Sequence, residues 1–109
     1  MKYPIVENII NGKTEQSQGE LLDVYSPING EIISQVNMSG KDAVDEAVKT
    51  ASAAFEKWSQ KTLKERVQVF FKYKQLLEEN MDELSELIQE ENGKTFGEAK
   101  AEIEKSIEV

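Results

Sequence analysis

Glu31-Ile32-Ile33-Ser34-Gln35-Val36, followed after Asn37 and Met38 by Ser39-Gly40-Lys41-Asp42-Ala43-Val44, is where the chain changes its period. Before this point, short runs of β-branched and aromatic residues are punctuated by Asn-Gly pairs. After it, Val44, Ala47, Val48, Ala51, Phe55 and Trp58 recur at spacings of three, four and seven. The first pattern suits pleated strands joined by tight turns, and the second suits one apolar face of a helix. The fold class that follows is α+β, with a short N-terminal β-hairpin and strands over 8–37 and three or four α-helices over 39–109.

Toward the N-terminus, Asn29-Gly30 stands between Leu22-Asp23-Val24-Tyr25 and Glu31–Val36, and predicts a β-hairpin at about 21–37. Asn11-Gly12, after Ile9-Ile10, marks a second tight turn beside a shorter strand near 8–14. The polar stretch from Lys13 to Glu20, with Ser17-Gln18-Gly19, reads as loop. Strands this few and short are marginal alone and need a surface to pack on.

Toward the C-terminus, Ser39-Gly40-Lys41-Asp42 resembles a capping box, with Asp in place of the usual Glu, and opens the first helix. Thr62-Leu63-Lys64-Glu65 is a better box and opens a second. Its stripe of Leu63, Val67, Phe70, Leu77, Met81, Leu84 and Ile88 stays in phase from Leu63 to Ile88, which favours a single long helix. Glu78 and Glu79 suit a helix C-terminus poorly, while Asn80 followed by Asp82 and Glu83 suits a fresh N-terminus, so a kink or break is expected near Asn80. Gly93 is the expected stop, and Thr95-Phe96-Gly97-Glu98 opens a last helix with the stripe Phe96, Ala99, Ile103 and Ile107. No Gly, Asn or Pro closes that helix before Val109, so the sequence reads as though truncated in mid-helix.

Composition narrows the chemistry. No Cys is present, which removes disulfides, thiolate metal sites and a cysteine nucleophile from these residues. No His is present either, which removes the commonest metal ligand and the commonest general base near neutral pH. The net charge is −8, which opposes nonspecific binding to nucleic acid or anionic lipid. No apolar run is long enough to span a bilayer. Glu7 and Asn8 interrupt any leader-like core, and a cytoplasmic location is expected. Asn37-Met38-Ser39 matches a glycosylation acceptor and is read as a chance match.

Four features are candidate sites. Gly93-Lys94-Thr95 has the ending of a phosphate-binding loop, but Ile88 occupies the position where that loop needs its first Gly, so a helix stop and a new cap explain the residues. From Glu78 to Glu91 seven of fourteen residues are acidic, at helical spacing rather than in a Gly-containing calcium loop, which fits a solvated helix face. Phe70, Phe71 and Tyr73 near Lys64, Arg66 and Lys72 are read as packing residues rather than a nucleic-acid patch. Phe55 and Trp58 are expected to be core anchors against Val67 and Phe70 of the next helix. The expected site residues are therefore catalytic none, cofactor-binding none and metal none.

The order of signatures resembles the aldehyde dehydrogenase superfamily. Ile10-Asn11-Gly12-Lys13, then Asp23-Val24-Tyr25-Ser26-Pro27-Ile28-Asn29-Gly30-Glu31, is similar to the family's "ING" and "NPATGE" elements. Ala54-Phe55-Glu56-Lys57-Trp58 resembles "A-A-F-x-x-W", and Glu91-Asn92-Gly93-Lys94 resembles "E-x-G-K". Glu65-Arg66 and Leu76-Leu77-Glu78-Glu79-Asn80 match the helix between them. Ser26, Ile28 and Asn29 depart from the family's Asn, Ala and Thr. The run Arg66–Leu77, Thr95 and the closing Ile107-Glu108-Val109 most resemble the methylmalonate-semialdehyde dehydrogenase branch.

That resemblance implies an oxidoreductase that uses NAD and CoA, with thiolate attack on the aldehyde, hydride transfer to NAD and acyl transfer to CoA. It also implies a homo-oligomer. Residues 1–109 would be the N-terminal part of an α/β, Rossmann-type nucleotide-binding domain, serving as scaffold and inactive alone. The family's nucleophile, base, oxyanion-hole asparagine and glycine-rich turn match no position here. The implied partner is the remainder of the same chain, with no metal, membrane or nucleic acid. The competing reading is a stand-alone acidic helical interaction module derived from that family.

Overall fold

The computed structural model describes residues 1–16 and 18–109, so the part of the expected 13–20 loop at Ser17 lies outside the described residues. The elements are β1 (Asn8–Ile10), β2 (Lys13–Glu15), β3 (Leu21–Tyr25), β4 (Ile32–Asn37), α1 (Lys41–Trp58), α2 (Leu63–Glu79), α3 (Met81–Asn92) and α4 (Phe96–Glu108). The α+β order of small antiparallel strand pairs followed by four helices is as expected. By contacts the chain forms two compact units. One comprises Met1–Tyr25 with Ile32–Lys61, and the other Ser26–Glu31 with Thr62–Val109.

In the first unit, Asn11 (φ 55°) and Gly12 (φ 71°) both take left-handed backbone, which is the requirement of a two-residue hairpin turn. The turn pairs Asn8 with Glu15, Ile9 with Thr14 and Ile10 with Lys13. This corrects the expected loop over 13–20, because Lys13–Glu15 is strand β2. All three of its residues are exposed, so main-chain pairing across the turn makes this strand, and no apolar alternation announces it.

β3 and β4 pair antiparallel from Leu21↔Asn37 to Tyr25↔Ile32, with an irregularity at Val24/Tyr25. On β4 the segment Tyr3–Val6 adds a parallel bridge that the sequence reading missed. Tyr3 N–H donates to Ile33 O at 2.9 Å and Val6 N–H to Gln35 O at 2.7 Å, while Asn37 N–H donates to Val6 O at 3.2 Å. Pro4 has no N–H to contribute, and its carbonyl is instead taken by the Ser34 hydroxyl at 2.7 Å. Among the described residues of this unit, Ile10, Ile33 and Ser34 are buried.

α1 begins at Gly40, without a side-chain cap. The expected box at Ser39 does not form, because Ser39 lies one residue too early and its hydroxyl accepts from Asn8 Nδ2 at 2.7 Å. The expected burial of the α1 stripe is also corrected. α1 has no buried residue, Phe55 is 66% exposed, Trp58 is 36% exposed and their intended partner Phe70 is 64% exposed. A periodic apolar stripe reports that a face is made for burial, but the burial itself needs a surface that these residues do not supply.

The second unit is built on α3 and α4. Ser85 and Ala99 have no accessible surface, and Ile103 is buried beside them on α4. The Ser85 hydroxyl donates to Met81 O at 2.7 Å, one turn back, so a polar atom enters the helix contact already satisfied. The expected break occurs at Asn80, whose φ of −108° and ψ of 17° leave the helical region. Its side-chain amide returns to Leu76 O at 2.8 Å and closes the end of α2 rather than opening α3. Both later boxes form as expected, with Thr62 and Glu65 opening α2 and Thr95 and Glu98 opening α4.

Gly93 stops α3 in left-handed backbone (φ 72°), and its N–H donates to Gln89 O at 2.8 Å. The loop Ser26–Glu31 belongs to this unit. Ser26 is 2% exposed, its hydroxyl accepts from Ile28 N–H at 3.2 Å, and Gly30 N–H donates to Ser26 O at 2.8 Å. Asn29-Gly30 is therefore not the two-residue turn that its composition allows, because only Gly30 has a positive φ and the loop closes as a wider turn.

Two outcomes follow. A Cβ on Gly93 would stand 3.2 Å from Pro27 Cγ, whereas one on Gly30 would meet nothing within 4 Å. Both substitutions to Ala should lose about 1–2 kcal/mol from the left-handed backbone. Urea unfolding should show Gly93→Ala losing more than Gly30→Ala, because a proline ring cannot swing aside. Second, hydrogen bonds from the Thr95 N–H and hydroxyl hold the Glu98 carboxyl below its usual value, and Lys94 adds to the effect. A depressed carboxyl stabilises the α4 start above its unfolded value and loses that contribution as pH falls through its folded value. An NMR titration should place the Glu98 midpoint below that of an ordinary glutamate, and Thr95→Ala should raise it.

Candidate functional site

A concavity of about 560 Å³ lies at the start of α1. Asn8 and Glu15 contribute from the first hairpin, Gly19 and Asn37 from the β3–β4 ends, and Lys41, Asp42 and Glu46 from α1. The first-turn amides of α1 favour an anion. Against them stand Glu15, Asp42 and Glu46, and the single lysine of the wall, Lys41, pairs with Asp45 along the helix. The Asn8 amide is committed to Ser39. This wall carries carboxylates, amides and backbone but no thiol or imidazole, so nothing in it provides a strong nucleophile or a base matched to neutral pH.

Gly93-Lys94-Thr95 does not form a phosphate cradle. A cradle needs consecutive backbone N–H groups aimed at one point. Here Gly93 N–H is used by Gln89 O, Thr95 N–H donates to the Glu98 carboxylate at 3.0 Å, and Lys94 pairs with Glu102.

The carboxylates between Glu78 and Glu91 lie along α2 and α3 rather than around a point. Lys74 sits 3.9 Å from Glu78, and the Gln75 amide donates to Glu79 at 2.8 Å. No cluster of three potential metal ligands exists among the described residues. On α2, Phe70, Phe71 and Tyr73 are exposed rather than packed, while Val67 and Leu77 are half-buried. Arg66 is half-buried, and its Nε has no hydrogen-bond partner among the described residues. Among the described residues no helix is long and apolar enough to cross a membrane.

Sequence reasoning missed Ser26 and Ser85 as buried polar positions. For Ser85 the signal was available: it falls on the α3 stripe between Met81 and Ile88. For Ser26 no local signal exists, because its burial depends on α3, where its hydroxyl lies 3.5 Å from the carbonyl oxygen of Glu90, 64 residues away.

The family model described as "Aldehyde dehydrogenase family" matches residues 13–109. Malonate-semialdehyde dehydrogenase 2 of Bacillus thuringiensis (strain Al Hakam) is 43% identical over 105 residues, covering 95% of this chain and 22% of that protein. Malonate-semialdehyde dehydrogenase of Bacillus cereus (strain B4264) is 45% identical over the same span and coverage. Among solved structures, methylmalonate-semialdehyde dehydrogenase of Oceanimonas doudoroffii superposes with a TM-score of 0.92 at 32% identity, covering 97% of this chain and 22% of that one. A Sinorhizobium meliloti 1021 protein assigned as a methylmalonate-semialdehyde dehydrogenase, complexed with NAD, superposes with a TM-score of 0.91 at 34% identity, covering 99% and 22%. The chain thus spans about a fifth of the length of these relatives. Similarity that runs almost unbroken from the first hairpin through α4, in sequence and in backbone, places the chain in the aldehyde dehydrogenase family.

Proposed function

We propose that these residues are the N-terminal part of the nucleotide-binding domain of an NAD-dependent, CoA-acylating malonate- or methylmalonate-semialdehyde dehydrogenase, and that within it they are scaffold. The observation that carries this reading is the 43–45% identity to malonate-semialdehyde dehydrogenases over 95% of the chain. NAD and CoA are co-substrates of the whole enzyme. The nucleophile and base lie outside these 109 residues, which hold no Cys or His. The whole enzyme is a cytoplasmic homo-oligomer.

The scaffold role is supported by what the helices leave uncovered. Val44, Val48, Phe55 and Trp58 on α1, and Leu63, Phe70, Phe71 and Leu76 on α2, are all exposed. Each fully buried side chain of this size contributes roughly 1.5–3 kcal/mol, so such faces are costly to leave in water. The rest of the same chain is the partner that covers them.

The assay that tests the activity uses the full-length protein. NADH should form from malonate semialdehyde in a CoA-dependent manner, and the 109-residue chain alone should form none. Aldehyde oxidation by the purified short chain, or none by the full-length protein, overturns the reading. A variant tests the scaffold role separately. In the full-length enzyme Trp58→Ala should cost about 3–5 kcal/mol if the ring is fully buried there. The melting temperature should fall while the KM values for aldehyde, NAD and CoA stay near wild type. A selective rise in one KM with stability intact would place Trp58 against a ligand instead.

A further inference from the structure

The sequence holds three Asn-Gly pairs, Asn11-Gly12, Asn29-Gly30 and Asn92-Gly93, and the fold treats them differently. An asparagine followed by glycine can lose its side-chain amide. The glycine backbone nitrogen attacks the asparagine Cγ, a C–N bond forms, the Cγ–Nδ2 bond breaks and ammonia leaves with the proton from that nitrogen. Water then opens the succinimide at either carbonyl, giving aspartate or isoaspartate. Glycine permits this because no Cβ hinders the approach, so composition alone ranks the three pairs equally.

The attacking atom is the glycine N–H, and its hydrogen bonding differs among the three. Gly30 N–H donates to Ser26 O at 2.8 Å and Gly93 N–H donates to Gln89 O at 2.8 Å. Attack at either must first break that bond. At Asn29 the electrophile is held too, since its Oδ1 accepts from Glu31 N–H at 3.0 Å and its Nδ2 donates to Glu31 Oε2 at 3.3 Å. Asn92 is the last residue of α3, so its backbone is fixed by the helix as well.

Gly12 has no such restraint. It lies at the tip of a two-residue turn, where neither central N–H enters the ladder, and among the described residues its N–H has no acceptor. Asn11 and Gly12 are both exposed. The strands that hold the turn are three residues each, and a hairpin this small opens readily.

We infer that Asn11 is the deamidation site of this protein, its conversion to aspartate and isoaspartate being set by the free Gly12 nitrogen, while Asn29 and Asn92 are protected by the fold. Isoaspartate carries an extra methylene in the main chain, so its formation breaks the Asn8↔Glu15 register as well as adding a negative charge.

The test incubates the full-length protein at mildly alkaline pH and physiological temperature, natively and in concentrated urea. Tryptic peptides are then followed by mass spectrometry with fragmentation that distinguishes isoaspartate. Breaking one or two more hydrogen bonds before attack should make Asn29 and Asn92 roughly tenfold slower than Asn11 in the native protein. In urea the three rates should converge. Asn29 or Asn92 converting as fast as Asn11 in the native state overturns the inference. So does a rate advantage for Asn11 that persists unchanged in urea, because the fold would then not be its cause.

Discussion

The close approach of α3 to α4 is the contact on which the second unit depends. Within it Ser85 on α3 and Ala99 on α4 are both wholly inaccessible. A larger residue at either position would crowd its neighbours, and an unsatisfied hydroxyl at Ser85 would cost more than it contributes. The bond from Ser85 to Met81 O removes that cost within a single helix turn. Because Ile103 lies one turn beyond Ala99, the same approach buries the only large aliphatic side chain of this pair below a tenth exposure.

The connection between these helices is constrained in the same way. Only two residues, Lys94 and Thr95, separate Gly93 from the first residue of α4. Left-handed backbone at Gly93 reverses the chain, the Thr95–Glu98 box starts the next helix, and the Pro27 ring fills the space where a side chain at 93 would otherwise stand. A hairpin loop drawn from 26–31 is thus packed by a helix stop sixty residues later. This accounts for the wide turn at Asn29-Gly30: Ser26 is held in place, and the loop closes around its carbonyl and hydroxyl.

α1 is organised differently. It has a clear amphipathic sequence yet no buried residue, and α2 has none either. Their exposed aromatics follow from a division between local and distant energetics. Helix propensity, capping and i,i+4 pairs such as Lys41–Asp45 form and position the helices. Burial of a face requires atoms that other segments bring beside it, which local sequence does not specify.

Much of the secondary structure was legible because its causes are local. The change of period at Ser39, both Thr–Glu boxes, the stop at Gly93 and the break at Asn80 each rest on residues close to one another in sequence. Strand β2 and the Tyr3–Val6 bridge were not legible, since both are formed by main-chain bonds to partners that side-chain pattern does not reveal. The absence of a thiol and an imidazole was fixed by composition alone. The tertiary structure decided which apolar stripes are covered, that Ser26 and Ser85 are buried, that Lys94 is occupied by Glu102, and which of three identical Asn-Gly pairs keeps a free nitrogen. The reason is the same throughout. A residue's backbone preference travels with its neighbours in sequence, whereas its burial and hydrogen-bond partners depend on what distant segments bring beside it.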